Sequence, residues 1–217
     1  MIIHNQETEN SILNQFISEI RDTTIQKDSM RFRKNIERIG EVLGYELSKT
    51  LEYTLKNVQT PLGTKELSLP EQNLVLCSVL RAGLPLHQGL LNYFDTAENA
   101  FISAYRDHHE DSDDFEVVVN YLASPSIENK ILILADPMLA TGKTLENTMQ
   151  AMKNHGVPKQ IHIVSVIGSK QGVGYIKDVF PENTQLWIAA IDPELSSRGY
   201  IIPGLGDSGD LSFGMKI

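Results

Sequence analysis

The residues of this chain that are most suited to chemistry lie in one short stretch, from Lys130 to Thr144. Five apolar residues at 131–135 predict a buried strand, and the carboxylate of Asp136 follows that strand directly. A loop of small and polar residues comes next, and a helical pattern then begins. A helix N-terminus offers N–H groups and the positive end of a dipole, so this arrangement is typical of a phosphate-binding site. The carboxylate can hold sugar hydroxyls or a metal ion.

The triplet Gly142-Lys143-Thr144 invites comparison with the P-loop of nucleoside triphosphate-binding proteins. That motif requires a glycine six residues before its lysine, and Pro137 occupies this position here. The charge of Asp136 would also repel a triphosphate unless a metal or a ribose lay between them. The other alternative is an ordinary strand-to-helix connection in which Asp136 caps a helix.

The elements that must position this stretch alternate between strand and helix from residue 73 onward. Strands are predicted at 73–79, 99–105, 115–122, 130–135, 160–167 and 184–191, and helices at 84–93, 145–154 and 171–180. This alternation indicates an α/β fold with a mainly parallel central sheet and helices on both faces. Two further helices are predicted upstream, at 11–21 and at 30–56, and the segment 59–63 ends the second.

Four of the predicted strands end next to a polar side chain, namely Arg81, Arg106, Asp136 and Asp192. Ligands of open parallel sheets bind beyond the carboxyl ends of the strands, so these side chains are expected to converge. Guanidinium groups bind phosphate oxygens in bidentate fashion and stay protonated, which suits Arg81 and Arg106 to a pyrophosphate group. The alternative for each arginine is an ion pair on the surface.

Charge and composition exclude several classes of protein. The 217 residues carry a net charge of −9, which argues against a nucleic-acid or membrane surface. The single cysteine, Cys77, lies in an apolar run and is expected to be a core residue, which fits a reducing, cytoplasmic compartment. The N-terminus lacks the pattern of a signal peptide, and no run approaches the ~18 apolar residues of a membrane span.

Several strings resemble the uracil phosphoribosyltransferases, a family of type I phosphoribosyltransferases. Asp136-Pro-Met-Leu-Ala-Thr-Gly142 is similar to their phosphoribosyl-pyrophosphate (PRPP) loop, and the segment 200–210 is similar to their uracil-binding segment. The segment 80–83 and Tyr105-Arg106 resemble their pyrophosphate-binding pieces, and Arg31-Phe-Arg33 resembles their N-terminal region. The resemblance covers residues 28–217, which is nearly the whole chain.

The resemblance implies a single domain over 1–217, with an N-terminal helical segment (1–57), a core (73–192) that carries a β-ribbon, and a base-binding tail (193–217). It implies that uracil and PRPP give UMP and diphosphate in pyrimidine salvage, with Mg²⁺ as cofactor. It also implies a homo-oligomer, either a dimer or a tetramer. Some members are activated by GTP.

Roles for particular residues also follow from the resemblance. It implies Arg81, Arg106 and Asp136 as catalytic residues. The residues implied for PRPP are these three together with Pro137, Met138, Leu139, Ala140, Thr141, Gly142, Lys143, Thr144 and Asp207. The residues implied for uracil are Ile201, Gly206, Asp207 and Ser208. Asp207 can also face the metal, which PRPP itself would bring.

The chain departs from the family pattern at Lys143, Thr144 and Ser208, where the family has glycine, serine and alanine. A left-handed backbone at Lys143 would cost about 1–2 kcal/mol, whereas a helical backbone would only add a cation near the phosphate. The alternatives are a phosphoribosyltransferase for another nucleobase and a catalytically weak, nucleotide-sensing regulator. The acid-rich segment 107–116 is expected to be a solvated loop, because the spacing of its histidines and acids fits no standard zinc site. The resemblance implies that this loop acts as a lid.

Overall fold

The structure, a computed structural model, describes residues 1–71, 73–108 and 115–216, without the side chains of 104–108 and 115–119. The strands are β1 (Ile2–Asn5), β2 (Tyr53–Thr60), β3 (Gly63–Pro70), β4 (Leu74–Leu80), β5 (Glu98–His108), β6 (Phe115–Ala123), β7 (Ile131–Ala135), β8 (Met138–Leu139), β9 (Gln160–Ser169), β10 (Gln185–Asp192), β11 (Glu194–Leu195) and β12 (Ile201–Ile202). The α-helices are α1 (Leu13–Arg21), α2 (Ser29–Ser48), α3 (Gly83–Leu91), α4 (Lys143–Met152), α5 (Lys170–Val179) and α6 (Ser208–Phe213). Short 3₁₀ helices lie at Gln6–Thr8 and Lys153–His155.

The central sheet has the strand order β1-β10-β9-β7-β4-β5-β6, and the short β8 also pairs with β9. Every pair in this sheet is parallel except β5 with β6, which are antiparallel. The prediction of a mainly parallel sheet is therefore confirmed. β5 and β6 continue past the end of β4 as a ribbon, in which Arg106 is paired with Val117.

Alternate residues of each central strand pack into two separate cores, one on each face of the sheet. Leu74 and Leu76 of β4 join the core that contains α1, α2 and α3. Val75 and Cys77 of the same strand join the core that contains α4 and α5. Because successive side chains of a strand point to opposite faces, burial on both faces explains the continuous apolar run. Cys77 is fully buried, which confirms it as a core residue, and this burial raises the pKa of its thiol to about 12.

Asp28 is the N-cap of the longest helix, α2. Its carboxylate accepts hydrogen bonds from the backbone N–H groups of Met30 and Arg31, both at 3.1 Å. We expect Asp28→Ala to lower the free energy of unfolding by about 1 kcal/mol, measured by urea denaturation, because both N–H groups lose their side-chain acceptor. Asp28→Asn keeps the acceptor and should lose much less. An equal loss in both variants would assign the effect to charge instead of capping.

The predicted helix at 30–56 is wrong beyond Ser48. Residues Tyr53–Thr60 instead form β2, which pairs along its whole length with β3 in an antiparallel hairpin. The aromatic and β-branched residues of β2 favour a strand, and pairing with β3 satisfies its backbone groups. The apolar spacing through Leu47 and Leu51 does not show where the helix ends. Both residues are buried, although Leu51 lies beyond the last helical residue.

The N-terminal segment is not wholly helical, because β1 pairs in parallel with β10 at the edge of the central sheet. This strand is only four residues long, and its two isoleucines, Ile2 and Ile3, are exposed. Its sequence therefore lacks the alternation of apolar and polar residues that would predict a strand. No helix in the described ranges is long and apolar enough to cross a membrane. The predicted loop and lid at 107–116 fall largely on 109–114, which lie outside the described residues.

Candidate active site

The stretch from Asp136 to Thr144 forms the connection from β7 to α4, at the carboxyl end of the sheet. Asp136 is buried, with 8% of its surface exposed, and its carboxylate accepts a hydrogen bond from the N–H of Met138 at 3.1 Å. α4 begins at Lys143, and the hydroxyl of Thr141 accepts the N–H of Lys143 at 3.4 Å. The loop therefore places a fixed carboxylate next to the amides of a helix N-terminus, which is the arrangement for a sugar phosphate.

The left-handed residue of this loop is Gly142, with φ of +83°, and not Lys143. Lys143 is the first helical residue, and its side chain is exposed. The strain expected for a left-handed lysine is therefore absent. Of the two sequence-based alternatives, the structure supports a lysine that adds a cation at the helix start.

The junction of β9 and α5 packs against the Asp136–Thr144 loop and supports it. The hydroxyl of Ser169 donates to the carbonyl of Ala140 at 2.6 Å and accepts the N–H of Gly172 at 2.8 Å. A Cβ built on Gly172 would lie only 2.2 Å from the Ala140 carbonyl oxygen. The two backbones thus approach each other closely, and sequence reasoning did not find this support. Ser169 is also the N-cap of α5, so its only sequence signal is that of an ordinary cap.

Arg81 follows β4, the strand next to β7, so it lies beside the Asp136 loop. A Cβ built on Gly83 would be 3.3 Å from the carbonyl of Ala135, which shows how near the two loops are. The guanidinium of Arg81 donates to the carboxylate of Asp210 at 3.3 Å and to the carbonyl of Gly214 at 3.0 Å. Arg81 is therefore in an ion pair, and that pair links the β4 loop to the C-terminal tail.

The tail forms the third wall of the site. β11 and β12 pair with each other, and Ile201 of β12 is buried with 5% exposed. Asp207 caps α6, because its Oδ1 accepts the N–H of Asp210 at 2.9 Å. Ser208 is 2% exposed, and its Oγ has no hydrogen-bond partner within the described part of the chain. The predicted base segment thus combines a buried apolar residue with polar groups at a helix start.

The structure brings together most of the predicted site residues. The Asp136–Thr144 loop, Arg81 and the tail lie side by side, and a Cβ built on Gly209 would be 4.0 Å from Ala82. Arg33 of α2 donates to the carbonyl of Ser212 at 2.7 Å and so attaches the tail to the N-terminal helices. The side chain of Arg106 lies outside the described residues, so its predicted role stays a prediction.

Asp192 does not project from its strand end toward a ligand as the sequence suggested. It forms a salt bridge at 2.8 Å with Arg21, which lies at the end of α1. Sequence reasoning did not find Arg21, because nothing near it in the chain indicates a partner so distant in sequence. The only signal was its predicted position at the C-terminal end of a helix.

A metal held by the protein alone does not fit the described residues. None of their His, Cys, Asp and Glu side chains form a group of three or more that could hold a metal ion. Mg²⁺ usually keeps several waters and binds through one or two carboxylates together with substrate phosphates. Asp207, which is partly exposed in the tail, fits that kind of binding.

The chain is similar to proteins of known family. The family model described as uracil phosphoribosyltransferase matches residues 7–215. A protein of Porphyromonas gingivalis named uracil phosphoribosyltransferase is 54% identical over 209 residues, which cover 96% of each chain. One of the same name from Methanococcus vannielii is 40% identical over 88% of this chain and 82% of its own. The solved structure of the AQ2163 protein from Aquifex aeolicus covers 100% of both chains, with a TM-score of 0.88 and 28% identity.

Proposed function

The chain belongs to the uracil phosphoribosyltransferase family, and we propose from this membership how its residues convert uracil and PRPP to UMP and diphosphate. The observation that carries the assignment of residues is the meeting of three segments at the carboxyl end of the sheet. These are the Asp136–Thr144 loop, the Arg81 loop and the tail at 201–208. Each supplies a different binding chemistry.

The Asp136–Thr144 loop binds the ribose 5-phosphate part of PRPP. The amides and hydroxyls at the start of α4 surround the 5′-phosphate, and Lys143 adds a positive charge there. Asp136 accepts hydrogen bonds from the ribose 2′ and 3′ hydroxyls. Its burial and its bond to Met138 support this role, because they fix the carboxylate in one position. The remaining loop residues, Pro137, Leu139 and Ala140, shape the turn.

Arg81 and Arg106 bind the diphosphate group. During the reaction the C1′–oxygen bond breaks, the diphosphate leaves with the electron pair, and the N1–C1′ bond to uracil forms. Negative charge grows on the leaving oxygens, and guanidinium groups stabilise that charge more in the transition state than in the ground state. Asp136 favours the positive charge that develops on the ribose. The N1 proton of uracil leaves to water or to a backbone carbonyl.

When bound together with PRPP, Mg²⁺ would supply further positive charge to the leaving group. Asp207 is the residue we assign to it, because the carboxylate lies in the tail near the Arg81 loop.

The tail positions uracil for attack. Ile201 gives an apolar contact, and the backbone from Gly206 to Ser208 reads the alternating carbonyl and N–H groups of the base. Glycine at 206 leaves this backbone accessible, since its φ is +93° and the residue is exposed. Alignment of the base against C1′ supplies proximity, which is a large part of catalysis in two-substrate reactions.

A homo-oligomer and a cytoplasmic location complete the proposal. The β2–β3 hairpin supports the oligomer, because it is an arm with its own two-stranded sheet that exposes Leu55 on one face, Leu67 on the other and Leu62 in its turn. The buried free thiol of Cys77 fits a reducing compartment. GTP remains a candidate effector on the resemblance alone.

A steady-state assay with uracil, PRPP and Mg²⁺ tests the proposed function. We expect UMP and diphosphate in equal amounts, and no competition from adenine, guanine or hypoxanthine at equal concentration. Preference for a purine base would identify a phosphoribosyltransferase of different specificity. Tight binding of PRPP or UMP without turnover would identify a regulator that kept the fold.

A further inference from the structure

A largely buried ion pair joins the N-terminal helices to the end of β10, beside the tail. Arg21 Nη1 donates to Asp192 Oδ2 and Arg21 Nη2 donates to Asp192 Oδ1, both at 2.8 Å. The exposed fractions of the two side chains are only 20% and 7%. This is a bidentate guanidinium–carboxylate pair, which fixes orientation as well as distance.

The same pair binds both backbone polar groups of Gly204. Arg21 Nη1 also donates to the Gly204 carbonyl at 2.9 Å, and the Gly204 N–H donates to Asp192 Oδ2 at 3.0 Å. Gly204 has a φ of +61°, and a Cβ there would lie 2.1 Å from the carbonyl of Ile201. The turn at 204 is thus tight, and its backbone is held from both sides.

A second side chain from the N-terminal segment continues this support. Gln26 donates to the carbonyl of Leu205 at 3.2 Å and to the carbonyl of Ile20 at 2.9 Å. Residues 204 and 205 lie between Ile201 and Gly206, which are the two parts of the proposed uracil site. The backbone that joins them is therefore fixed by residues far away in sequence.

We propose that Arg21 and Asp192 are positioning residues for uracil, which act through Gly204 to set the geometry of the base-binding segment at 201–208. This inference rests on the proposed function. A base that is read by backbone groups requires those groups to stay within about 0.5 Å of their productive positions. The described side-chain hydrogen bonds of the pair run to each other and to Gly204, so the pair affects uracil more than PRPP.

A contribution to the stability of the fold does not by itself explain an ion pair at this position. Desolvation offsets most of the attraction between buried charges, and an apolar pair of similar size can often replace them. An apolar pair cannot replace the two hydrogen bonds to Gly204. The double variant Arg21→Met/Asp192→Leu therefore separates the two roles, because it can keep the fold while it loses the contacts to the base segment.

The test measures KM for uracil and KM for PRPP separately in Asp192→Asn, in the double variant and in a control. We expect KM for uracil to rise roughly tenfold or more in both variants, with KM for PRPP within about twofold. The control is Glu19→Gln, which weakens a salt bridge from the same helix to Arg31, and its two KM values should not change. Melting temperatures establish that each variant is folded at the assay temperature.

Amide hydrogen exchange gives a readout that needs no turnover. The Gly204 N–H should exchange faster in both variants than in the wild type, and at the wild-type rate in Glu19→Gln. Unchanged exchange at Gly204, or equal rises in the two KM values, overturns the proposal while the proposed function stands. A wild-type protein that does not convert uracil overturns the proposed function and, with it, the role assigned to this pair.

Discussion

Gly172→Ala is expected to lower kcat/KM for PRPP by roughly a hundredfold, because a displacement of about 1 Å in a substrate-positioning loop has that scale of effect. The added Cβ would lie 2.2 Å from the carbonyl oxygen of Ala140 and 2.9 Å from that of Leu139. Both contacts are to backbone, so no side chain can rotate away. The loop that we propose to bind the 5′-phosphate must shift, and overpacking of this kind also costs about 1–3 kcal/mol of stability.

The matched control for this variant is Gly174→Ala, two residues further along α5. A Cβ at Gly174 meets nothing within 4 Å, so only the helix propensity changes. We expect this variant to keep full activity and to gain up to about 1 kcal/mol of stability. Steady-state kinetics and urea denaturation of the two variants give the comparison. Equal kinetics in both would show that the β9–α5 junction does not position the PRPP loop.

Arg81→Ala is expected to lower kcat by roughly two to three orders of magnitude, as for the loss of one donor to a developing charge. Its guanidinium lies at the end of β4 beside the Asp136 loop and is 38% exposed, so a diphosphate can reach it. The carboxylate of Asp210 and the carbonyl of Gly214 orient it. Arg81→Lys keeps the charge but loses the bidentate fork, and should recover only part of the rate.

Kinetic measurements at saturating uracil and PRPP distinguish this role from a purely structural one. The control is Arg38→Ala, whose guanidinium donates to Asn35 within α2 and packs over the ring of Phe16. We expect kcat of this control to stay within about twofold of the wild type. Near-normal turnover by Arg81→Ala would exclude the proposed part of Arg81 in binding the leaving group.

The sequence predicts the main sheet well because its strands and helices are defined by local patterns. β7 is five buried residues followed by an acid, and α4 follows a glycine that adopts a left-handed backbone. The main wrong prediction concerns the hairpin at 53–70, because the apolar spacing of α2 continues past the true end of the helix and predicts a longer one. The two strands of this hairpin stabilise each other only when they are paired, and the sequence of one strand gives little indication of its partner.

The sequence by itself determined the family and the α/β class, because contiguous patterns and long motifs encode them. The tertiary structure alone decided what Asp192 does and what supports Ala140. Arg21 and Asp192 are 171 positions apart, and Gly172 meets a loop from another strand. Contacts between distant residues depend on how helices and strands pack, and no local pattern records them. The tertiary structure also placed the left-handed turn at Gly142, and so removed the strain that Lys143 had suggested.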